Sequence, residues 1–362
     1  MQLYGISKKI VFCALFNSTI FCQSISIKGL MTLSISTSND IPDGWYHYES
    51  NISYLPTFSI TKDFSNNSML DVEWAYRIKR DYIGDSLYAN AEKQHRFWLR
   101  YSNEKIETRL GLQKVIFGPT QILRPLSWFD TFDLKDPTGE TNGVEAFRLK
   151  WFPSNNISVW SWFIQDELDT LSYGLRTEIS SSVGEFGFII HKDPSNSEKM
   201  IGQPGAFIKN SNSRAAIDYR YDGYIGFWNE SVLIQSEKSQ IVLSTLGADY
   251  TIPISNGLLI MAETMYTSNK NDNQENTKYY SALMLSYPIG IMHTAMYISQ
   301  IDWTEEKVYN YLRWSSTFDK YSLNFILSLN PKRNQYNLPQ SALPESLSGF
   351  GAGMQLMFIY NH

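Results

Sequence analysis

The 362-residue chain has very little cysteine, and its two cysteines, Cys13 and Cys22, both lie near the N-terminus. Two lysines precede an apolar segment, Ile10–Cys22, and small or polar residues follow it. This order is typical of a secretory signal peptide. We therefore expect residues 1–24 to be a signal peptide, cleaved after Cys22 or Ser24. A mature chain that starts after Ser24 has no cysteine, which excludes a disulfide framework and a cysteine-ligated metal site.

The chain also lacks long apolar runs and long amphipathic helices. No run approaches the roughly 18 apolar residues of a membrane-spanning helix, and no long segment repeats its apolar residues with helical periodicity. Charged residues are only 19% of the chain, whereas aromatic residues are 15%. The net charge of −5 argues against a nucleic-acid binder. An exported chain of this kind is periplasmic, secreted, or a barrel in an outer membrane.

What the chain does contain is a series of short segments in which apolar and polar residues alternate, as they do in transmembrane β-strands. In the clearest, Met69–Lys79, every second residue is apolar and four of the residues between them are charged. A register slip of one residue would turn these charges into lipid, at about 2–4 kcal/mol for a basic residue. The alternation predicts eighteen strands: Ile25–Ser38, Asn51–Lys62, Met69–Lys79, Gln94–Tyr101, Lys105–Phe117, Val144–Phe152, Ile157–Gln165, Tyr173–Ser181, Glu185–His191, Arg214–Tyr221, Tyr224–Gln235, Gln240–Ile252, Gly257–Thr267, Lys278–Tyr287, Ile291–Ile301, Lys307–Ser316, Tyr321–Leu329 and Gly349–Tyr360.

The connections between these segments supply an independent test. Those after even-numbered segments are short turns such as Asp222-Gly223. Most of those after odd-numbered segments are longer and polar: Asn39–Ser50, Arg80–Lys93, Gly118–Gly143, Lys192–Ser213, Ser268–Thr277 and Asn330–Ser348. Tight periplasmic turns that alternate with longer outer loops are typical of outer-membrane barrels. The sequence therefore predicts an all-β fold, a closed antiparallel transmembrane β-barrel of about 18 strands over residues 25–362.

Two local features add to this prediction. Pro56 lies inside the second segment, where it cannot donate a ladder hydrogen bond, so we expect a β-bulge there. The last segment ends in Met357–Tyr360, which is apolar and aromatic. Such an end suits closure of the barrel and recognition by the barrel-assembly machinery.

The longest connection whose flanks are clear strands is Gly118–Gly143. A loop of this length inside a compact domain is usually functional, and we expect it to fold inward and constrict the pore. Its candidate constriction residues are Arg124, Trp128, Asp130, Asp133, Lys135 and Asp136. Two alternatives are that the three aspartates only cap turns or bind a calcium ion. Their spacing of three does not match an EF-hand loop.

Alternation also predicts a set of basic side chains on the lumen side of the wall. They are Arg77, Lys79, Arg96, Arg100, Arg109, Arg148, Lys150, Arg176, Arg214 and Arg220. Rows of basic residues along a pore favour anions. The alternative is that they pair across strands with Glu73, Glu107, Glu178 and Asp218 and only hydrate the wall.

The residues around the long loop carry a resemblance to a known group of proteins. They are Arg109-Leu110-Gly111-Leu112-Gln113, Phe117-Gly118, Arg124-Pro125-Leu126, Trp128-Phe129-Asp130, Asp136-Pro137 and Asn142-Gly143-Val144. This stretch resembles Gram-negative outer-membrane porins of the phosphate-selective-porin and alginate-export-like superfamily. The resemblance covers a small part of the chain. It implies a channel and does not identify a substrate.

Enzymatic readings have little support, because none of the five histidines lies in a metal-ligand or nucleophile motif. We predict no cofactor, no metal and no catalytic residue. The predicted function is a porin in the cell outer membrane for passive diffusion of small hydrophilic solutes, with an anion preference. Outer-membrane lipid would surround it, and a homotrimer is one expected assembly. The alternatives are a polysaccharide export or assembly barrel and, less favoured, an outer-membrane hydrolase.

Overall fold

The computed structural model describes residues 24–41, 45–64, 67–166, 169–271, 274–332 and 349–362. The signal peptide expected at residues 1–24, including both cysteines, lies outside them except for its last residue. The described residues form β1 (Ser24–Ser38), β2 (Tyr48–Asp63), β3 (Met69–Ile83), β4 (Ser86–Ser102), β5 (Ile106–Gln113), β6 (Val144–Ser154), β7 (Ile157–Gln165), β8 (Leu171–Ser181), β9 (Gly184–Asp193), β10 (Lys199–Gly202), β11 (Gly205–Ile208), β12 (Asn212–Asp222), β13 (Gly226–Ser236), β14 (Ser239–Ile252), β15 (Leu258–Asn271), β16 (Gln274–Ile289), β17 (His293–Asp302), β18 (Lys307–Thr317), β19 (Tyr321–Leu329) and β20 (Ala352–Asn361). Within these ranges no helix is long and apolar enough to cross a membrane.

Eighteen of the strands form one closed antiparallel barrel. Each pairs with the next along the chain, and β9 pairs directly with β12, so that the β10–β11 hairpin is not part of the wall. The barrel closes because β1 pairs with β20 as well as with β2. At one end of this seam, Gly29 and His362 exchange two backbone hydrogen bonds of 3.0 and 3.1 Å. Closure leaves the eighteen strands of the described wall without a free edge.

The two faces of the wall differ in composition. On β19, Phe325 points outward and is 41% exposed, whereas its neighbour Asn324 points inward and is 2% exposed. The same alternation runs through β12, where Ile217 is exposed between buried Ala216 and Asp218. Large apolar side chains thus cover the outside, and most polar side chains face the interior, as transmembrane barrels require.

All eighteen strands predicted by alternation are present, and two of them, Ile157–Gln165 and Tyr321–Leu329, have the predicted bounds. Three predicted loops were wrong. Lys192–Ser213 contains the β10–β11 hairpin and the ends of β9 and β12. Most of Arg80–Lys93 is strand, because β3 continues to Ile83 and β4 begins at Ser86. Much of Ser268–Thr277 is also strand, at the ends of β15 and β16.

These extensions have a physical reason. The register of β3 with β4 places Arg80 opposite Asn90 on the outward face, and Ile78 opposite Glu92. Polar residues therefore lie on both faces here, beyond the apolar belt, although the backbone ladder continues. Alternation between apolar and polar residues detects only the part of a strand that lies in lipid.

The bulge expected at Pro56 was also wrong. The β1–β2 register runs unbroken through Gly29 and Pro56, and the β2–β3 register is the same on both sides of it. Pro56 removes hydrogen bonds to β3 locally, but β2 has no extra residue relative to β3 at this point. A bulge lies one strand away, between Ala75 and Tyr76 in the β3–β4 ladder, and it leaves His95 on β4 without a register partner.

Candidate functional site

Two glutamates of the wall hold the start of the long loop. Glu230 on β13 accepts hydrogen bonds from the backbone N–H groups of Thr120, at 2.8 Å, and Leu126, at 3.1 Å. Glu263 on β15 accepts three more, from residues 121, 122 and 123, at 2.8, 3.0 and 2.7 Å. Glu230 is 0% exposed and Glu263 is 3% exposed. Since a buried carboxylate is costly unless it is hydrogen-bonded, these glutamates and the loop backbone stabilise one another.

The same part of the loop packs into an apolar core inside the barrel. Leu123, Leu126 and Trp128 lie in one cluster with inward side chains of the wall and with the β10–β11 hairpin. The hairpin is joined to the loop by backbone bonds between Arg124 and Gln203, at 2.6 and 2.9 Å. The cluster comprises Val115, Phe117, Leu123, Leu126, Trp128, Ala146, Trp162, Ile164, Ile189, Ile201, Ile208, Ala216, Val232, Ile234, Ile241, Leu243, Met265 and Ala282. Loop and hairpin therefore fill the interior beside this part of the wall.

Three of the predicted constriction residues lie within this packed region. Arg124 and Asp130 form a two-point ion pair, Nη1–Oδ1 at 2.6 Å and Nη2–Oδ2 at 3.2 Å, and both side chains are almost fully buried. Trp128 donates its indole N–H to the carbonyl of Pro125, at 3.0 Å, and its ring lies 5.3 Å from the guanidinium of Arg214. The charges of Arg124 and Asp130 are thus directed at each other inside the loop.

The remaining part of the loop, residues 132–140, projects from the packed region and returns to it; we call it the excursion. At its base, which we call the neck, the Thr131 backbone N–H donates a hydrogen bond to the Thr141 hydroxyl, at 2.7 Å. Within the excursion, Asp133 accepts from the backbone N–H of Lys135 and Asp136 from that of Thr138, each at 2.9 Å. These are Asx turns, as the turn-capping alternative predicts. The described residues contain no group of three side chains that could hold a metal ion.

This excursion contacts two separate parts of the wall. The backbone carbonyl of Lys135 accepts a hydrogen bond from the hydroxyl of Tyr311 on β18, at 2.6 Å. The side-chain ammonium of Lys135 lies 3.3 Å from the amide oxygen of Gln300 on β17. At its other end, Glu140 is 2.7 Å from Nε2 of His95 on β4. Residues 132–140, which we name the bridge, therefore connect β4 to β17 and β18 across the interior.

The contact at Glu140 is electrostatically favourable. Burial by itself would raise the pKa of this carboxyl, but the His95 hydrogen bond and the nearby charges of Arg96 and Arg77 outweigh it and hold the pKa below its ordinary value. Glu140 is therefore a carboxylate at neutral pH, within 3.9 Å of Arg77. The bulge that leaves His95 unpaired brings two consecutive residues of β4, His95 and Arg96, to the inside.

The strand register places all ten predicted basic residues on the inward side, and six of them form a row on β4 to β8 that we call the basic ladder. The six are Arg96, Arg100, Arg109, Arg148, Lys150 and Arg176. In its centre, three arginines surround Glu107: Arg148 at 2.7 Å, Arg109 at 3.6 Å and Arg100 at 3.7 Å. Arg100 also bonds Asp71, at 2.7 Å. Three guanidinium groups therefore share two carboxylates.

Two tryptophans underlie the ladder. The guanidinium of Arg109 lies 4.4 Å from the ring of Trp98, and the ammonium of Lys150 lies 4.1 Å from the ring of Trp160. Such cation–π contacts help to hold these cations in place. Lys150 also pairs with Glu178 at 3.6 Å, and Arg176 pairs with the same carboxylate at 2.9 Å. At the end of the ladder, Arg176 is paired with Asp218 at 2.6 Å and is almost fully buried.

The other four basic residues have separate environments. Arg77 lies beside the bridge, and Lys79 pairs with Asp81 at 3.0 Å. Arg214 is 3% exposed and pairs with Asp193 at 3.1 Å inside the packed region. Arg220 pairs with Asp222 at 2.9 Å, where both side chains are exposed.

Sequence reasoning missed His95, Glu140, Glu230 and Glu263. The two wall glutamates did carry a signal, because each is an isolated carboxylate among apolar inward residues, as Glu263 is between Met261 and Met265. The inward position of His95 depends on a bulge, for which the sequence has no clear signal.

Comparison with known proteins supports the fold. No protein-family model matches the chain, and no curated protein sequence matches it. A BenF-like porin from Pseudomonas fluorescens Pf-5 superposes with a TM-score of 0.65 at 9% identity, covering 95% of this chain and 100% of that one. An anion-selective porin from Comamonas acidovorans superposes with a TM-score of 0.50 at 13% identity, covering 94% and 99%. At these identities the similarity establishes a porin-type barrel fold.

The anchoring of the loop by Glu263 can be tested by hydrogen exchange. In Glu263→Ala, the amides of residues 121–123 lose a charged acceptor, and such bonds contribute about 1.5–3 kcal/mol each. We expect their exchange in the folded barrel to accelerate at least about tenfold. Glu107→Ala, which removes a carboxylate that contacts arginines only, should leave these amides unchanged. Unchanged exchange in Glu263→Ala would show that the glutamate does not hold the loop.

Proposed function

We propose that this protein is a channel in the cell outer membrane through which small hydrophilic solutes diffuse passively, with a preference for anions. One observation carries the proposal: a closed barrel with an apolar outer face encloses a basic ladder on its inner wall. An apolar exterior suits surrounding outer-membrane lipid. A barrel of this strand number is wide enough to enclose an aqueous channel.

The bridge is the proposed constriction. It is tied to the wall at both ends, through Glu140 and His95 on one side and Lys135 and Tyr311 on the other. Since loop and hairpin occupy the interior beside β6 to β9 and β12 to β16, solutes would pass between the bridge and the uncovered wall, past the ladder cations on β4 and β5. A segment anchored at two points would give the pore a fixed narrow section.

The anion preference follows from the charge balance of the ladder. Arg100, Arg109 and Arg148 are in ion-pair contact with only two carboxylates, Asp71 and Glu107, so positive charge exceeds negative charge among the groups in direct contact; Glu73 acts on Arg109 from further away. In a narrow pore with low-dielectric walls, such a charge raises the local concentration of anions. The structurally similar Comamonas acidovorans porin is described as anion-selective, which agrees with this proposal.

Two partners complete the proposal. The terminal strand β20 is apolar on its outward face, and it would be the segment that the barrel-assembly machinery recognises. A homotrimer is the assembly that we expect for a porin, and membership of the phosphate-selective-porin and alginate-export-like superfamily remains a prediction from the loop residues.

Removing the bridge tests its role as the constriction. Because Thr131 and Thr141 are hydrogen-bonded at the neck, residues 132–140 can be replaced by two glycines while the anchored part of the loop stays in place. We expect the single-channel conductance in planar bilayers to rise, with the barrel still assembled and heat-modifiable on gels. A variant with Asp133→Asn and Asp136→Asn keeps the backbone and serves as the control. An unchanged conductance after removal of the bridge would contradict the constriction.

Charge reversal tests the anion preference. Arg100→Glu with Arg148→Glu replaces two ladder cations by carboxylates, so the reversal potential in a salt gradient should move toward the cation value. Arg100→Gln with Arg148→Gln should give a smaller shift in the same direction. Arg80→Glu changes an outward-facing arginine of β3 and should leave the potential unchanged. A reversal potential equal to wild type in both double variants would show that the ladder does not face the current.

A further inference from the structure

A second polar surface lies beside the basic ladder, on the inward face of β1 and β2. We name it the hydroxyl tract, and it comprises Thr32, Ser34, Ser36, Asn51, Ser53, Thr57, Ser59 and Thr61. From Leu30 to Ser38 of β1 and from Asn51 to Thr61 of β2, no inward position holds a charged side chain. Across the ladder, Thr32 faces Ser53 and Ser34 faces Asn51. The tract itself is uncharged and hydrogen-bonding; the inward pair Leu30 and Leu55 interrupts it, and Lys28, the partner of Thr57, and Glu49, the partner of Ser36, border it.

Several hydroxyls of the tract are available to a solute. Those of Ser34, Ser53, Thr57 and Ser59 make no side-chain hydrogen bond to any other residue that the structure describes, and none of the four is sealed from solvent. Each hydroxyl can both donate and accept. The tract can therefore replace the water molecules around a hydroxyl group of a solute, whether that group donates or accepts the hydrogen bond.

The tract and the ladder are close enough to act on one small molecule. On β3, which separates them, Lys79 is the register partner of Ser53. Thr61, Asp71 and Arg100 follow one another across β2, β3 and β4. Adjacent strands are about 4.8 Å apart, so groups two strands apart are separated by about 10 Å. A solute with a chain of five or six carbons spans about half to all of the 10 Å between such groups. The long side chain of Arg100 shortens the remaining distance to the solute.

Part of the remaining wall is apolar and offers no such combination. On β13 and β15 to β17, the inward residues Trp228, Met261, Met284, Met296 and Ile298 form an apolar cluster. Ile122 and Leu134 of the loop pack against that cluster. A solute that is confined to the open side of the barrel therefore meets cations on one side and hydroxyl groups next to them.

We propose that the channel favours small polyhydroxylated anions, with the carboxylate or phosphate on the basic ladder and the hydroxyl groups on the hydroxyl tract. This inference rests on the proposed channel function. A site that hydrogen-bonds a solute hydroxyl discriminates against the analogue that lacks it, because the polar groups of the site are then left unpaired. An anion with an alkyl chain would bind the ladder but gain nothing from the tract.

The test compares pairs of anions with equal charge and carbon number in proteoliposomes that contain the full chain. The pairs are gluconate with hexanoate, and glycerol 3-phosphate with propyl phosphate. The tract variant carries Ser34→Ala, Ser53→Ala and Ser59→Ala. The control variant carries Ser50→Ala, Ser161→Ala and Ser299→Ala, whose side chains face outward on their strands.

For each pair we take the ratio of the uptake rate of the hydroxylated anion to that of the alkyl anion. We expect this ratio to be at least about threefold lower in the tract variant than in the wild type, the effect of losing one ordinary hydrogen bond. The control variant should keep the wild-type ratio. A fall for the carboxylate pair alone identifies sugar acids, and a fall for the phosphate pair alone identifies polyol phosphates.

The outcome that overturns the inference is a ratio unchanged by the tract substitutions in both pairs. If chloride conductance is normal in that case, the channel function stands and only the preference for hydroxylated anions is removed. If the wild type passes neither chloride nor any of the four anions, the channel function itself fails.

Discussion

Backbone hydrogen bonding between the first and last strands is the constraint on which this structure depends. In lipid, an unpaired N–H or C=O group costs several kcal/mol because no water can satisfy it. A sheet of eighteen strands therefore has to close, and it does so where β1 pairs with β20 over nine residue pairs. Closure fixes which face of every strand is inside, since side chains alternate along each strand except at a bulge such as that at His95. The basic ladder and the hydroxyl tract both follow from that single choice of register.

Two buried carboxylates of the wall then anchor the loop that fills part of the interior. Glu230 and Glu263 accept five backbone N–H groups of the loop, and they hold an apolar core against one part of the wall. The rest of the wall, with the hydroxyl tract and the ladder residues of β4 and β5, remains polar. In the proposed channel, the packed part would narrow the passage and the ladder cations would set its charge.

The sequence predicts the strands well because each must alternate to cross lipid, and a one-residue slip is expensive. It predicts the strand ends poorly, since beyond the apolar belt a strand such as β3 needs no apolar face and still keeps its ladder. Alternation also indicates the side of a residue but not what covers it. Arg124, Arg214 and Trp128 are therefore in a packed region, where neither sequence pattern nor composition could place them. The functions of Glu230 and His95 depend on the path of a loop and on a bulge, which are set by tertiary contacts.

Oxidative cross-linking of the barrel seam tests this account most directly. Leu33 and Phe358 are register partners across β1 and β20, so Leu33→Cys with Phe358→Cys should form an intramolecular disulfide in membranes and migrate faster on a denaturing gel. Leu33→Cys with Met354→Cys, four residues out of register, should not. If the in-register pair stayed reduced under oxidation while the protein was assembled, or cross-linked only between chains, the barrel would not close between its first and last strands.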